Sequence, residues 1–440
     1  MGKVVCIWLV VCCAAAAQWP PGPIPTQLSG NPFFIKNIWY IGGAAVWDMM
    51  TMDPAAGRLY IAHGPVVQVV DVSTGALVGE IRGLGRARAI ALDTTGQLGY
   101  ITDGATGRVI VFDRSTLDTV AEIPTKPSPR ALVYEPRTHL LFAVEAASGA
   151  PPAASPQGRR AQHRNAESVP YRASYITVID TQTNKVLGQV LVAGVLGYAQ
   201  ADGAGQVYIG YTDRDAILRF SAAAVEAQLK QIRQEQEEEE AAASSANRSE
   251  PAPQDSSQPA SAKPAPAKPV ELVPPTLDWT MPPNSSAAAA AGLHLLSFGR
   301  SCGVPHGFAL DGPDDRLFAA CEDSSLEVLN TNTGQPVTTV PIGWGVNQIG
   351  YDPVRGLIYA ATGAGDGQLT VIRRTITDTY AVIQDLPTRR RAYVMAINSD
   401  TGNVYLVTDL MGVDLTKPGG IGTLRMTPIQ GSFAVLEIGH

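Results

Sequence analysis

The sequence predicts an all-β fold, a seven-bladed β-propeller of four-stranded antiparallel blades. Three observations carry this. Residues 305–343 hold four short apolar runs, Phe308–Leu310, Leu317–Ala320, Leu326–Leu329 and Val337–Val340. Between them stand Asp-Gly-Pro-Asp-Asp, Glu-Asp-Ser-Ser and Asn-Thr-Asn-Thr-Gly, and short runs bounded by such residues read as strands joined by tight turns. Four strands in about 40 residues match the period of one propeller blade. The unit also recurs: Asp53, Asp93, Glu135, Asp202, Asp311, Asp352 and Asn398 each close one strand and precede another. These markers lie 40, 42, 67, 109, 41 and 46 residues apart, so seven blades are expected, two of them interrupted.

The elements follow in chain order. Lys3, the apolar stretch Val4–Cys13 and the small residues Ala14–Ala17 have the pattern of a secretory signal peptide over residues 1–17, with Gln18 opening the mature chain. That apolar stretch is shorter than the about 20 residues a membrane-spanning helix needs, so no transmembrane segment is expected in the mature chain. Residues 18–33 are Pro-rich and read as an extended arm. Phe34–Ile41 reads as a strand that shares the closing blade with Phe433–Ile438, in either order.

Blades one and two, about 46–84 and 86–125, are uninterrupted. Blade three breaks after Val144 for a basic loop, 147–173, which joins its second and third strands. This loop is expected on the end of the ring opposite the loops that enter the first strands. Blade four breaks after Phe220. Residues 222–241 favour a helix, with Val225, Leu229 and Ile232 on one narrow stripe. Residues 242–290 are Ala, Ser, Pro, Lys and Gln, and are expected to be disordered and dispensable. The whole insertion spans 222–292, and Leu293–Phe298 restores the outer strand of blade four. Blades five, six and seven occupy 305–343, 346–387 and 393–438, with a long link after Thr408.

Several segments carry a resemblance. Arg58-Leu59-Tyr60-Ile61-Ala62-His63-Gly64, Val69-Val70-Asp71-Val72-Ser73-Thr74-Gly75, Arg316-Leu317-Phe318-Ala319-Ala320-Cys321 and the closing Gly431–Gly439 are similar to the YVTN-repeat (YncE-like) family of extracytoplasmic propellers. The resemblance covers about 34–225 and 293–440. It implies the fold and a place outside the cytoplasm, periplasmic or extracellular. The family has no single activity, so function does not follow from it.

Composition narrows the function classes. The chain has 440 residues, 45% hydrophobic content and a formal net charge of −7. A mildly acidic chain lacks the basic footprint of a general nucleic-acid binder, so no nucleic-acid partner is expected. Of five cysteines, Cys6, Cys12 and Cys13 lie in the signal segment. Cys302 precedes the first strand of blade five and Cys321 ends its second. The far ends of that hairpin meet, so a Cys302–Cys321 disulfide is expected in an oxidising compartment.

The search for chemistry returns few candidates. No Gly-x-Ser-x-Gly elbow, HExxH or phosphate-binding loop is present, so neither catalytic residues nor a metal or cofactor is assigned. The recurrent Asp and Glu residues are explained by turn hydrogen bonding. One constellation remains. First strands line the central channel, and the residue five before each marker is Asp48, Arg88, Arg130, Gly197, His306, Asn347 or Tyr393. The candidate ligand-binding ring is therefore Asp48, Arg88, Arg130, His306, Asn347 and Tyr393. Its two guanidinium groups favour a small anionic or polyhydroxyl ligand. The expected function is a secreted, monomeric binding or scaffolding protein for an unknown protein or such a ligand. The alternative is a lactonase-like or streptogramin-lyase-like propeller enzyme using Asp48 and His306.

Overall fold

The computed structural model describes residues 32–43, 46–145, 172–248, 274–279, 292–298, 302, 307–376, 378–413 and 426–440. The expected fold is present, with seven blades of four antiparallel strands, one of which, blade three, carries an added strand. Blade one is β2 (Met50–Asp53), β3 (Arg58–His63), β4 (Val66–Asp71) and β5 (Leu77–Ile81). Blade two is β6 (Ala87–Leu92), β7 (Leu98–Asp103), β8 (Arg108–Asp113) and β9 (Thr119–Pro124). Blade three contains β10 (Pro129–Glu135), β11 (Leu140–Glu145), β12 (Ala173–Asp180) and β13 (Lys185–Ala193). Blade four is β14 (Leu196–Ala201), β15 (Gln206–Tyr211), β16 (Ala216–Ser221) and β18 (His294–Ser297). Blade five is β19 (Phe308–Asp311), β20 (Arg316–Ala320), β21 (Ser325–Asn330) and β22 (Pro336–Pro341). Blade six is β23 (Val346–Asp352), β24 (Leu357–Thr362), β25 (Gln368–Ile376) and β26 (Thr379–Pro387). Blade seven takes β27 (Val394–Asn398), β28 (Asn403–Thr408) and β31 (Ala434–Gly439) from the C-terminal end, and β1 (Phe34–Tyr40) from the N-terminal end.

The order β1-β31-β28-β27 gives the N-terminal strand the outer position of the closing blade. Its end is fastened by Phe33, the last residue of the expected arm. Phe33 is buried against Tyr359, its N–H donates to Gln384 Oε1 at 2.8 Å, and its carbonyl accepts from Gln384 Nε2 at 2.8 Å. Residues 1–31, which hold the expected signal and most of the arm, lie outside the described residues. The innermost strands touch in a closed cycle, β2, β6, β10, β14, β19, β23, β27 and back to β2.

Burial explains the repeat. Second strands sit between two neighbouring blades and are buried on both faces, as in Leu140–Glu145 and Leu357–Thr362. Seven residues after its marker, each blade places one large side chain there: Tyr60, Tyr100, Phe142, Ile209, Phe318, Tyr359 and Tyr405, all essentially inaccessible. The markers act as expected. Asp93 accepts the Thr95 N–H at 2.8 Å, Asp352 that of Val354 at 3.0 Å and Asn398 that of Asp400 at 3.1 Å. A second set closes the turns between third and fourth strands, where Asp71, Asp113, Asp180 and Asn330 accept from the residue two positions on. Arginines on strands and turns tie one blade to the next. Arg114 of blade two, for example, grips the buried Asp53 of blade one through Nε at 3.1 Å and Nη2 at 2.5 Å.

Cys302 and Cys321 are bridged, as expected, with Cα atoms 4.8 Å apart. The bridge closes a loop over a sequence separation of 19. Loop closure of this length stabilises by about 2–4 kcal/mol. A Cys302→Ala/Cys321→Ala variant should therefore melt well below the parent. Equal melting temperatures for the two would show that the bridge contributes nothing.

Two expectations about the insertions need correction. The first concerns 242–290. The helix, α1, runs Ala222–Arg248, beyond its expected end. Thr276–Trp279 then forms β17, which pairs in parallel with β13, Gln189 to Thr276 through Val192 to Trp279. The insertion leaves blade four but docks on blade three, giving it a fifth strand. The reason is apolar: Val225 and Leu229 of α1 are fully buried, and Leu277 and Trp279 of β17 join the same core as Phe220, which meets Trp279 edge-on at 5.3 Å. The second correction concerns the 147–173 loop. Pro129 at the start of β10 pairs with Glu145, and Glu145 pairs with Tyr175. Antiparallel pairing therefore brings both roots of that loop to the end where first strands begin, not the opposite end. Ala173 already belongs to β12, and residues 146–171 lie outside the described residues.

Candidate binding site at the channel mouth

The inner strands enter the ring at one end, called the mouth here, and four of the predicted ring positions share a backbone device there. The ladder slips between Ala87 and Ile90, Pro129 and Ala131, Leu196 and Ala199, and Val346 and Gln348. Arg88, Arg130, Gly197 and Asn347 occupy these irregularities. A bulge leaves a residue unpaired and re-aims its side chain. Asp48 has an analogous place, because Ala62 accepts the Asp48 N–H at 2.9 Å while donating to Met49 O at 3.0 Å.

The structure joins three predicted residues in one sector. Arg88 Nη1 donates to Asp48 Oδ2 at 3.0 Å, linking blades two and one. Burial holds the Asp48 carboxyl above its usual range, against the pull of Arg88. Arg130, from blade three, has no hydrogen bond or ion pair among the described residues. Although the side chain is exposed, partial desolvation in the crowded mouth, and then the Arg88 charge, push its guanidinium below its ordinary value, with Asp48 only partly compensating. One carboxylate thus faces two ring guanidinium groups and is committed to one of them. The packing is close, since a Cβ added at Gly104 would lie 2.9 Å from Arg88 Cγ.

The remaining ring positions scatter. Tyr393 stacks on Trp47 with centroids 6.3 Å apart, and burial raises its phenol pKa. Asn347 is exposed on blade six, Gly197 brings no side chain, and His306 lies outside the described residues. Of the two residues named for the hydrolase or lyase alternative, Asp48 is bonded to Arg88 and His306 lies outside the described residues.

Counting five residues back from each marker missed several mouth residues. Arg86 stands exposed beside Arg88, and its backbone N–H is held by Asp103 at 2.8 Å. On the loop entering blade seven, Arg391 Nη1 donates to both oxygens of the buried Asp409 at 2.6 Å, and its guanidinium carbon Cζ lies 4.4 Å from the Trp47 ring centroid. Burial raises the Asp409 carboxyl despite that contact. The signal available in the sequence was the triplet Arg389-Arg390-Arg391 just before the Tyr393 position.

Another missed group is Glu145. It ends β11 at the mouth, is wholly buried, and neither carboxyl oxygen has a hydrogen-bond partner among the described residues. Burial pushes its pKa up to about 8, moderated by the neighbouring Thr177 hydroxyl.

No protein-family model matches the chain, and no curated protein matches it. Solved structures do. A chain in the crystal structure of the mitotic checkpoint complex aligns with TM-score 0.55 at 12% identity, covering 92% of this chain and 95% of its own. The structure of U3-55K aligns with TM-score 0.56 at 9% identity, covering 91% and 98%. The RRP9 WD40 repeats align with TM-score 0.56 at 9% identity, covering 91% and 97%. The fold is the one shared by WD40-repeat propellers. Identities this low establish architecture alone. Among the described residues, no helix is long and apolar enough to cross a membrane.

Proposed function

We propose that this chain is an exported binding or scaffolding propeller of the YVTN-repeat kind, and that its channel mouth recognises an anionic group. The observation that carries the reading is Arg130, a guanidinium beside Arg88 at a bulged inner strand, with no partner among the described residues. Such a group is a ready hydrogen-bonding site for a carboxylate or phosphate. Export is supported by the N-terminal signal pattern and by the Cys302–Cys321 bridge, which suits an oxidising compartment. The resemblance to extracytoplasmic propellers agrees with both.

The test is a thermal-shift and calorimetric screen of carboxylates, phosphates and sugars. An anion at about a hundred times its Kd should stabilise the wild type by about 2.7 kcal/mol. Arg88→Ala/Arg130→Ala should abolish that shift. If no anion shifts the wild type and the double substitution stabilises the fold, the mouth is only a wet channel lining.

A further inference from the structure

The mouth is chemically divided. In the sector from blade seven through blade three, the described carboxylates are already used. Asp48 pairs with Arg88, Asp409 with Arg391, Glu80 with Arg82 and Glu122 with Arg108. Asp103 accepts the Gly85 and Arg86 amides, and Glu145 is buried. Against these, the side chains of Arg86, Arg130 and Arg390 are exposed and make no hydrogen bond or ion pair among the described residues. The sector therefore carries uncompensated positive charge on a protein whose net charge is −7.

Apolar side chains adjoin this charge. The link after Thr408 forms a two-stranded hairpin, β29 (Met411–Val413) with β30 (Met426–Pro428). It stands at the mouth because Thr408 pairs with Ala434 and Asp409 reaches Arg391. Among the described residues, no other strand pairs with either edge of this hairpin. It exposes Leu410, Val413, Met426 and Ile429, with Val413 directly opposite Met426. On either side are Val46, 51% exposed on the loop entering blade one, and Trp344, 71% exposed on the loop entering blade six. Most other exposed large apolar residues lie on outer strands, where some exposure is normal. These six sit on loops at one end of the ring.

We infer that the blade seven hairpin, Trp344 and the unpaired arginines form one docking surface for a short acidic protein segment carrying a bulky apolar side chain. The inference rests on the anion reading of the mouth and names the partner class. Charge complementarity selects the acid, because every described carboxylate of the sector is either paired or buried. The exposed Trp344 and hairpin side chains supply the apolar contact, and aromatic anchors of this kind dominate binding energy. The open edges of β29 and β30 offer unpaired backbone groups to an extended chain, a feature that peptide recognition uses and a lipid surface does not.

The experiment selects random short peptides on the full chain, then repeats the selection on three variants: Arg86→Ser/Arg130→Ser/Arg390→Ser, Trp344→Ser and Val413→Ser/Met426→Ser. All substituted residues are exposed, and melting curves confirm that each variant remains folded. Peptides combining Asp or Glu with a bulky apolar residue should be enriched on the wild type. The arginine variant should lose the acidic preference, and the other two the apolar preference. Each should weaken a selected peptide about tenfold or more, which is about 1.4 kcal/mol. Enrichment of acidic peptides that bind the Trp344 and hairpin variants unchanged would overturn this inference and leave the anion reading intact. Purely apolar peptides indifferent to the arginines would overturn both. No enrichment, or capture of anionic vesicles or duplex DNA through these residues instead, would also overturn it.

Discussion

Trp279→Ala should lower the free energy of unfolding by about 3–5 kcal/mol, the usual range for truncating a buried aromatic. Trp279 lies far outside the repeat, in a segment whose composition suggests no structure. Yet it is 4% exposed, packs edge-on against Phe220, and seals the core shared by blades three and four with Leu277 and Leu229 of α1. Its removal leaves a cavity beside Phe220 and loosens the parallel pairing of β17 with β13. Urea unfolding of the full chain measures this. A change below about 1 kcal/mol would mean that β17 undocks freely and the ring stands without it.

Glu145→Gln should do the opposite, and its effect should depend on pH. The folded protein holds the Glu145 proton up to a pKa of about 8, above the ordinary glutamate value of 4.5. Between those values the folded state binds more protons than the unfolded one, so stability falls as pH rises. The contribution of the neutral acid is complete below the unfolded pKa and is lost as pH passes the folded pKa. A glutamine has no such slope. The variant should therefore match the wild type near pH 5 and exceed it by roughly a few kcal/mol near pH 9. Denaturant unfolding at several pH values decides it, and a constant difference across the range would refute the buried neutral acid. Tyr175 pairs with Glu145 across the sheet, and the Lys126 ammonium lies 5.1 Å from the Tyr175 ring centroid.

The candidate site was legible only in part, for a local reason. Counting from the turn markers found Asp48, Arg88 and Arg130, because the same number of extended residues back from the turn climbs the same distance along neighbouring inner strands. It missed Arg86, Arg391, Asp409 and Glu145. Arg86 and Arg391 belong to entry loops whose lengths vary from blade to blade. Asp409 and Glu145 end second strands. They reach the mouth only because antiparallel pairing returns the chain to it, as Glu145 does opposite Pro129. The same oversight put the 147–173 loop on the wrong end of the ring.

By itself the sequence determined the architecture. Seven markers, each followed at a fixed distance by one large core side chain, specify seven blades, because strand alternation and Asx turns act over a few residues and need no distant partner. The Cys302–Cys321 bridge was legible for the same reason, being the two ends of one hairpin. Only the tertiary structure decided what depends on distant partners. It gave β1 the outer place on blade seven, since both terminal segments are strand-like and only their pairing with β28 separates them. It folded Thr276–Trp279 onto blade three, because four residues show no periodicity until β13 and Phe220 supply an edge and a surface. It left Arg130 without a partner, because the single carboxylate within reach, Asp48, sits closer to Arg88 across a blade boundary that no local pattern records.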